Sequence, residues 1–139
     1  MIVLDTNVLS EFMRVEPDAK VLDWVDAQPT MELAISAITV AEILHGIARL
    51  PSGKRKQKLE SHAMAMFEED FAGRILPFDA HAAVEYATLA AGAEAKGRTA
   101  AMADAQIAAI CLSHGASIAT RNVRDFEFSG VEVINPWDA

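Results

Sequence analysis

The chain is poor in the residues that carry several common chemistries. Cys111 is the only cysteine among 139 residues, so a disulfide framework and a thiolate metal centre are both excluded within one chain. It sits in Ile110-Cys111-Leu112, the setting of a small buried hydrophobe and not of a reactive thiol. His45, His62, His81 and His114 show no metal-ligand spacing. The glycines form no dinucleotide fingerprint, and Gly53-Lys54 lacks the earlier glycine of a phosphate loop because Ala48 stands there. No apolar run approaches the roughly 18 residues of a membrane span. The N-terminus lacks a basic region, and its apolar run is broken by Asp5, so it does not read as a signal peptide. A cytoplasmic protein is the expectation.

Positive charge is also scarce. Twelve Lys and Arg stand against 20 Asp and Glu, giving a net charge of −8. That balance argues against simple electrostatic capture of nucleic acid. It suits a protein that gathers acids around a divalent cation, or one that meets a basic partner. The one concentrated basic run is Lys54-Arg55-Lys56-Gln57-Lys58, and its ordinary reading is a solvated helix end.

A hydrophobic content of 52% with 23% charged residues describes a folded chain with a real core. No repeat, low-complexity tract or linker divides it, so residues 1–139 are expected to form a single domain. Ile2 to Leu4 reads as a buried strand, followed by a helix from about Val8. A second helix runs from Pro17 with Val21, Leu22, Trp24 and Val25 on its apolar face. Glu32 to Ser36 is the second strand. Val40, Ile43, Leu44, Ile47 and Leu50 predict a helix over Thr39 to Leu50. A polar helix then fills most of Lys54 to Phe71, and Arg74 to Phe78 forms a strand closed by Pro77. Ala80 to Lys96 is a helix ended by Gly97, and Thr99 caps another through His114. Ser117 to Ala119 and Val131 to Ile134 complete the strands. Repeated βα units imply a mostly parallel sheet covered on both faces.

The acids carry the functional argument. Asp5 ends the first strand, and ligands of open α/β sheets collect outside the carboxyl ends of strands. Asp5, Thr6 and Asn7 are equally good helix caps, so this segment alone leaves both roles open. Asp104 shares a helix face with Ala100, Ala101, Ile107, Ala108 and Cys111. An ionised carboxylate there costs several kcal/mol unless something pairs with it, and no Lys or Arg lies three or four residues away. A partly wet position, or a bond to a backbone amide, is the alternative. Glu42 completes a Thr39-Val40-Ala41-Glu42 capping box, yet it lies off the apolar stripe and is free to point at the sheet edge. Thr120-Arg121-Asn122 follows another strand tip, where a simple turn would also explain it. If these groups converge, their repulsion, about 4 kcal/mol at 4 Å for an effective dielectric of 20, calls for a cation. Oxygen-only ligands favour Mg²⁺ or Mn²⁺.

Several segments together resemble the PIN-domain family, in its VapC and FitB type of toxin ribonucleases. They are Leu4-Asp5-Thr6-Asn7, Ser36-Ala37-Ile38-Thr39-Val40-Ala41-Glu42, Asp104 with Ile107-Ala108-Ala109, and Ala119-Thr120-Arg121-Asn122. Phe71 to Asp79 and the closing Asn135-Pro136-Trp137 resemble the FitB branch. The resemblance spans the chain and rests on the order and spacing of these segments. It implies a three-layer α/β/α fold with a mostly parallel central sheet of four or five strands. It further implies a Mg²⁺- or Mn²⁺-dependent endoribonuclease that cleaves tRNA or other structured RNA with a metal-activated water. The expected assembly is a homodimer with a co-encoded antitoxin, which reaches DNA only through that antitoxin.

Carried over residue by residue, the family's metal ligands fall at Asp5, Glu42 and Asp104, with Thr6, Asn7 and Thr120 as the polar residues that position them. A fourth acid of the family falls at Asn122. The amide there removes one negative charge, so a second metal should bind less tightly; Asp125 lies three residues on. Glu42 or Asp104 would orient or deprotonate the attacking water. Lys54, Arg55, Lys56 and Lys58 are candidate phosphate contacts, with Arg74, Arg121 and Arg124 as helpers. A haloacid-dehalogenase-type phosphatase would also place a nucleophile at Asp5, but expects a second Asp where Asn7 stands. A catalytically weak module that serves an antitoxin–DNA repressor is the other alternative.

Overall fold

The computed structural model describes all 139 residues. Five strands, β1 (Ile2–Leu4), β2 (Leu33–Ser36), β3 (Ile75–Leu76), β4 (Ser117–Ala119) and β5 (Val133–Ile134), form one sheet in the order β3-β2-β1-β4-β5. Every neighbouring pair is parallel, with Val3 beside Ala34 on one flank and beside Ile118 on the other. Six α-helices accompany them: α1 (Thr6–Phe12), α2 (Ala19–Ala27), α3 (Ala37–Ala48), α4 (Lys54–Ala65), α5 (Ala80–Ala95) and α6 (Met102–His114). The expected three-layer α/β/α arrangement is what the chain adopts.

The layers follow from strand alternation, which sends successive side chains to opposite faces. Leu4, Leu33, Ile35 and Ala119 point into one core with Val8, Leu9, Val21, Ile43 and Ile47 of α1, α2 and α3. Val3, Ala34 and Ile118 point the other way, onto Ile107, Ile110 and Cys111 of α6 and onto Phe126. Fully burying each Val, Leu or Ile among these contributes about 1.5–3 kcal/mol. Helix α6 is buried at Ala105 and continuously from Ile107 to Cys111, which explains why its sequence is apolar on nearly every face. It ends at Gly115 with φ +61°, where the Ala116 amide donates back to the Cys111 carbonyl at 2.9 Å.

Helix α1 starts at Thr6 and α2 at Ala19, each two residues from the sequence reading, and two further helix starts differ in ways that bear on the acids. Helix α3 begins at Ala37, capped by Ser36, whose Oγ accepts from the Thr39 amide at 3.1 Å. The strand's last residue takes the capping role, so the Thr39–Glu42 box does not form and Glu42 is released for other contacts. Helix α6 begins at Met102 and Thr99 does not cap it. Asp104 consequently lies in its first turn, where the helix dipole favours a carboxylate, and not in the helix interior. The polar helix expected over 54–71 divides into α4 and a single wider π turn, Met66–Asp70. That turn brings Met66, Phe67 and Phe71 inward together.

Chain order fixes where a site can form. From β1 the chain runs outward to β2 and β3, then returns to add β4 and β5 on the opposite flank. The switch point lies between β1 and β4, whose tips carry Asp5 and Thr120, and there an open parallel sheet presents a crevice.

Candidate active site

Asp5 lies one residue beyond β1 and still donates its amide to the Ala119 carbonyl of β4 at 2.9 Å. The residue is only 5% exposed, and its carboxylate is held from several sides. The Thr6 amide donates to Oδ1 at 2.8 Å, and the Thr120 hydroxyl donates to Oδ2 at 2.7 Å. The Asn7 side chain reaches both Asp5 Oδ2, at 3.4 Å, and Thr120 Oγ1, at 3.2 Å. Asn7 also accepts from the Arg121 amide at 3.2 Å, and Thr120 Oγ1 accepts from the Asn122 amide at 3.1 Å. Asp5 thus does cap α1. The same network locks the β1 and β4 tips together, so capping and site-building are one arrangement.

Asp5, Glu42, Asp104 and Asn122 all line one crevice of about 380 Å³, together with Thr6, Asn7 and Arg121. The carboxylates come from different layers: Asp5 from a strand tip, Glu42 from α3 and Asp104 from the first turn of α6. Burial pushes the Asp5 carboxyl above its ordinary value, against the lowering effect of the Thr120 and Thr6 bonds, and the charges of Glu42 and Asp125 push it further. Asp104 is pushed up to about 6, first by burial and then by Asp5, Asp125 and Glu42. Mutual repulsion among these acids is therefore built into the fold. Asp125 is exposed and outside the crevice lining, but its charge is felt by both Asp5 and Asp104.

Donor chemistry fits a hard divalent cation: the acids are oxygen ligands, like-charged, and open to solvent at the mouth. No trio of acidic, histidine or cysteine side chains is drawn tightly enough together to enclose an ion as they stand. Glu42 instead accepts a short bond, 2.6 Å, from the Thr6 hydroxyl.

The basic residues separate into two groups. Lys54, Arg55 and Lys58 line a larger groove of about 1180 Å³ that adjoins the crevice through Thr6, Ser10, Arg14 and Glu42. Lys56 is turned away, its Nζ donating to the Ala48 carbonyl at the end of α3, 3.0 Å away. Arg74 is also elsewhere: it donates to the Leu33 carbonyl at 2.8 Å and to the Asp70 carbonyl, and lies over the Phe71 ring. Arg121 does reach the crevice and stacks on Trp137, 5.2 Å from its ring centroid.

Sequence reading missed Glu11, Arg14 and Trp137, which also line the crevice. Glu11 is 3% exposed; it accepts the Asp18 amide at 2.9 Å and the Arg14 guanidinium at 3.3 Å. The Glu11–Arg14 spacing was a usable signal for that pair, whereas nothing in the local sequence brings Trp137 to Arg121.

The family model for the PIN domain matches residues 2–131. The VapC ribonuclease Y4jK of Sinorhizobium fredii is 46% identical over 138 residues, 99% of each chain. Toxin FitB of Neisseria gonorrhoeae is 42% identical over 99% of each. Among solved structures, FitAB bound to an IR36 DNA fragment contains a chain that superimposes with a TM-score of 0.92 at 42% identity, covering 99% of this chain and 96% of that one.

Proposed function

The chain belongs to the PIN-domain family, and on that premise we propose that it is a ribonuclease toxin, neutralised by a co-encoded antitoxin, that hydrolyses RNA at the Asp5–Glu42–Asp104 crevice with Mg²⁺ or Mn²⁺. The observation that carries the reading is the meeting of three carboxylates from separate layers at the sheet's switch point, with raised proton affinity at Asp5 and Asp104. Asp5, Glu42 and Asp104 would hold the cation, with Asn122 beside them as a neutral fourth position, which favours a single tightly bound ion. When bound, the cation supplies Lewis acidity and cancels the charge that phosphate would otherwise meet.

The chain's own residues supply position and proton handling. Thr120, Asn7 and the Thr6 amide fix both Asp5 oxygens, so that carboxylate loses little freedom when it engages a ligand. Glu42 or Asp104 would orient the attacking water or take its proton. Phosphates of structured RNA such as tRNA would run from the crevice along Lys54, Arg55 and Lys58, with Arg121 at the mouth. A homodimer in the cytoplasm, reaching DNA only through the antitoxin, completes the reading; no helix is long and apolar enough to cross a membrane.

Two rivals lead to different outcomes. A covalent phosphatase of the haloacid dehalogenase type expects a second acid two residues after Asp5, where Asn7 stands and donates its side-chain amide to Asp5 Oδ2 and to Thr120. A non-catalytic repressor module would use the same acids only to meet a basic segment of the antitoxin and would cut no RNA. The test is incubation of the antitoxin-free protein with total RNA and Mn²⁺ or Mg²⁺, followed by sequencing of new ends. Discrete new ends that disappear in Asp5→Ala are expected. Equal cutting by folded Asp5→Ala overturns the site, and no metal-dependent cutting overturns the activity.

A further inference from the structure

Behind Glu42 lies a row of hydroxyls that the acid cluster itself does not account for. Ser36 and Thr39 are both fully buried, one at the end of β2 and the other in the first turn of α3. Ser36 Oγ stands 3.4 Å from Thr39 Oγ1, Thr39 Oγ1 stands 3.1 Å from Thr6 Oγ1, and Thr6 Oγ1 stands 2.6 Å from Glu42 Oε1. Each hydroxyl has one proton to give. Glu42 as a carboxylate can only accept, so the Thr6 proton is committed to it. The Thr6–Thr39 contact must then be donated by Thr39, and the Thr39 oxygen accepts from Ser36. Ser36 Oγ is fixed in turn by accepting the Thr39 amide at 3.1 Å. Every proton in the row points toward Glu42.

We propose that Thr39 is a positioning residue for the reaction: it acts through Thr6 to hold the Glu42 carboxylate in one orientation at the crevice. This rests on Glu42 belonging to the site as read above. Glu42 is itself exposed, and a free glutamate side chain samples many rotamers that engagement with a ligand would have to order. A buried, directional row that ends on one carboxylate oxygen supplies a ready-made orientation, and successive bonds in such a row polarise and strengthen one another. It also binds the starts of α1 and α3 together across 33 positions of sequence. The contribution is made without any contact between Thr39 and substrate.

Thr39→Val tests it, because valine keeps the branched shape and the amide that Ser36 caps, and removes only the hydroxyl. The expected result is a 10–100-fold lower kcat with KM within about twofold, the range seen when groups supporting a ligand are removed. Thr39→Ser should restore kcat, and Thr39→Val should add nothing in a Thr6→Val background. Thr39→Ala gives the same comparison if valine does not pack. A metal-free readout stands beside these: the Thr39 hydroxyl proton should exchange slowly with water, and its NMR signal should shift in Glu42→Gln. Wild-type kcat in folded Thr39→Val, or an unmoved hydroxyl signal, overturns the proposal. If wild type cleaves no RNA, the functional reading fails instead, and the NMR comparison still decides the row.

Discussion

Asp104→Asn should stabilise the protein when divalent cations are withheld. The carboxyl is pushed up to about 6 from the ordinary 3.8 by burial and by Asp5, Asp125 and Glu42. Between those values the folded state holds a proton that the unfolded state has released, so stability falls as pH rises through this window and the cost is complete above about pH 6. Below pH 3.8 the contribution vanishes. A difference of that size in a fully buried group would be worth about 3 kcal/mol. Asp104 is only half-buried, and solvent screening reduces the figure to about 1 kcal/mol. The α6 dipole, worth about 0.3–1 kcal/mol to a first-turn carboxylate, works in the opposite direction, but the raised value says that burial and repulsion win. For a chain of this size about 1 kcal/mol corresponds to roughly 3 °C in Tm. Thermal melts in EDTA should therefore show Asp104→Asn above wild type by about that margin at pH 7.5, the gap closing by pH 4. Millimolar Mn²⁺ should reverse the order by stabilising wild type alone. An asparagine variant no more stable than wild type in EDTA at pH 7.5 refutes the reasoning, as does a gap that ignores pH.

Other consequences can be checked singly. Thr120→Val removes the 2.7 Å bond to Asp5 and the anchor of the Asn122 amide; cleavage should fall 10–100-fold, and urea melts should register a loss of about 1–2 kcal/mol. Asn122→Asp restores a fourth charge, so calorimetric titration should show tighter Mn²⁺ binding and a second ion at lower concentration. Replacing Lys54, Arg55 and Lys58 by glutamine should weaken RNA binding and flatten its salt dependence by about 0.7–0.9 for each phosphate left unneutralised. Lys56→Gln and Arg74→Gln should leave that slope unchanged, because these side chains are spent on the Ala48, Leu33 and Asp70 carbonyls; any cost should appear in Tm instead.

The pattern of short apolar runs and 3.6-period helices was enough to assign the α/β class and the strand positions, because burial on both faces of a parallel sheet writes itself into composition. Strand tips followed by polar residues marked Asp5 and Thr120, and a helix with almost no polar surroundings marked Asp104. What lay outside local pattern was which group satisfies which. Ser36 and Thr39 compete for one helix start, and the choice depends on where β2 stops, which its pairing with β1 and β3 decides. Lys56 and Arg74 carry the same charge as Lys54, and only the location of unpaired carbonyls separates their roles.

By itself the sequence determined that acids stand at the ends of structural elements in a chain with too little basic charge to offset them. Only the tertiary structure decided that these ends belong to one crevice. The β1–β4 switch brings Asp5 against Thr120 across 115 positions, and the packing of α1 on α3 turns Glu42 from a helix cap into the acceptor of Thr6. The physical reason is that hydrogen bonds and charge repulsion depend on distance in space, whereas composition and period report only which face of an element is dry.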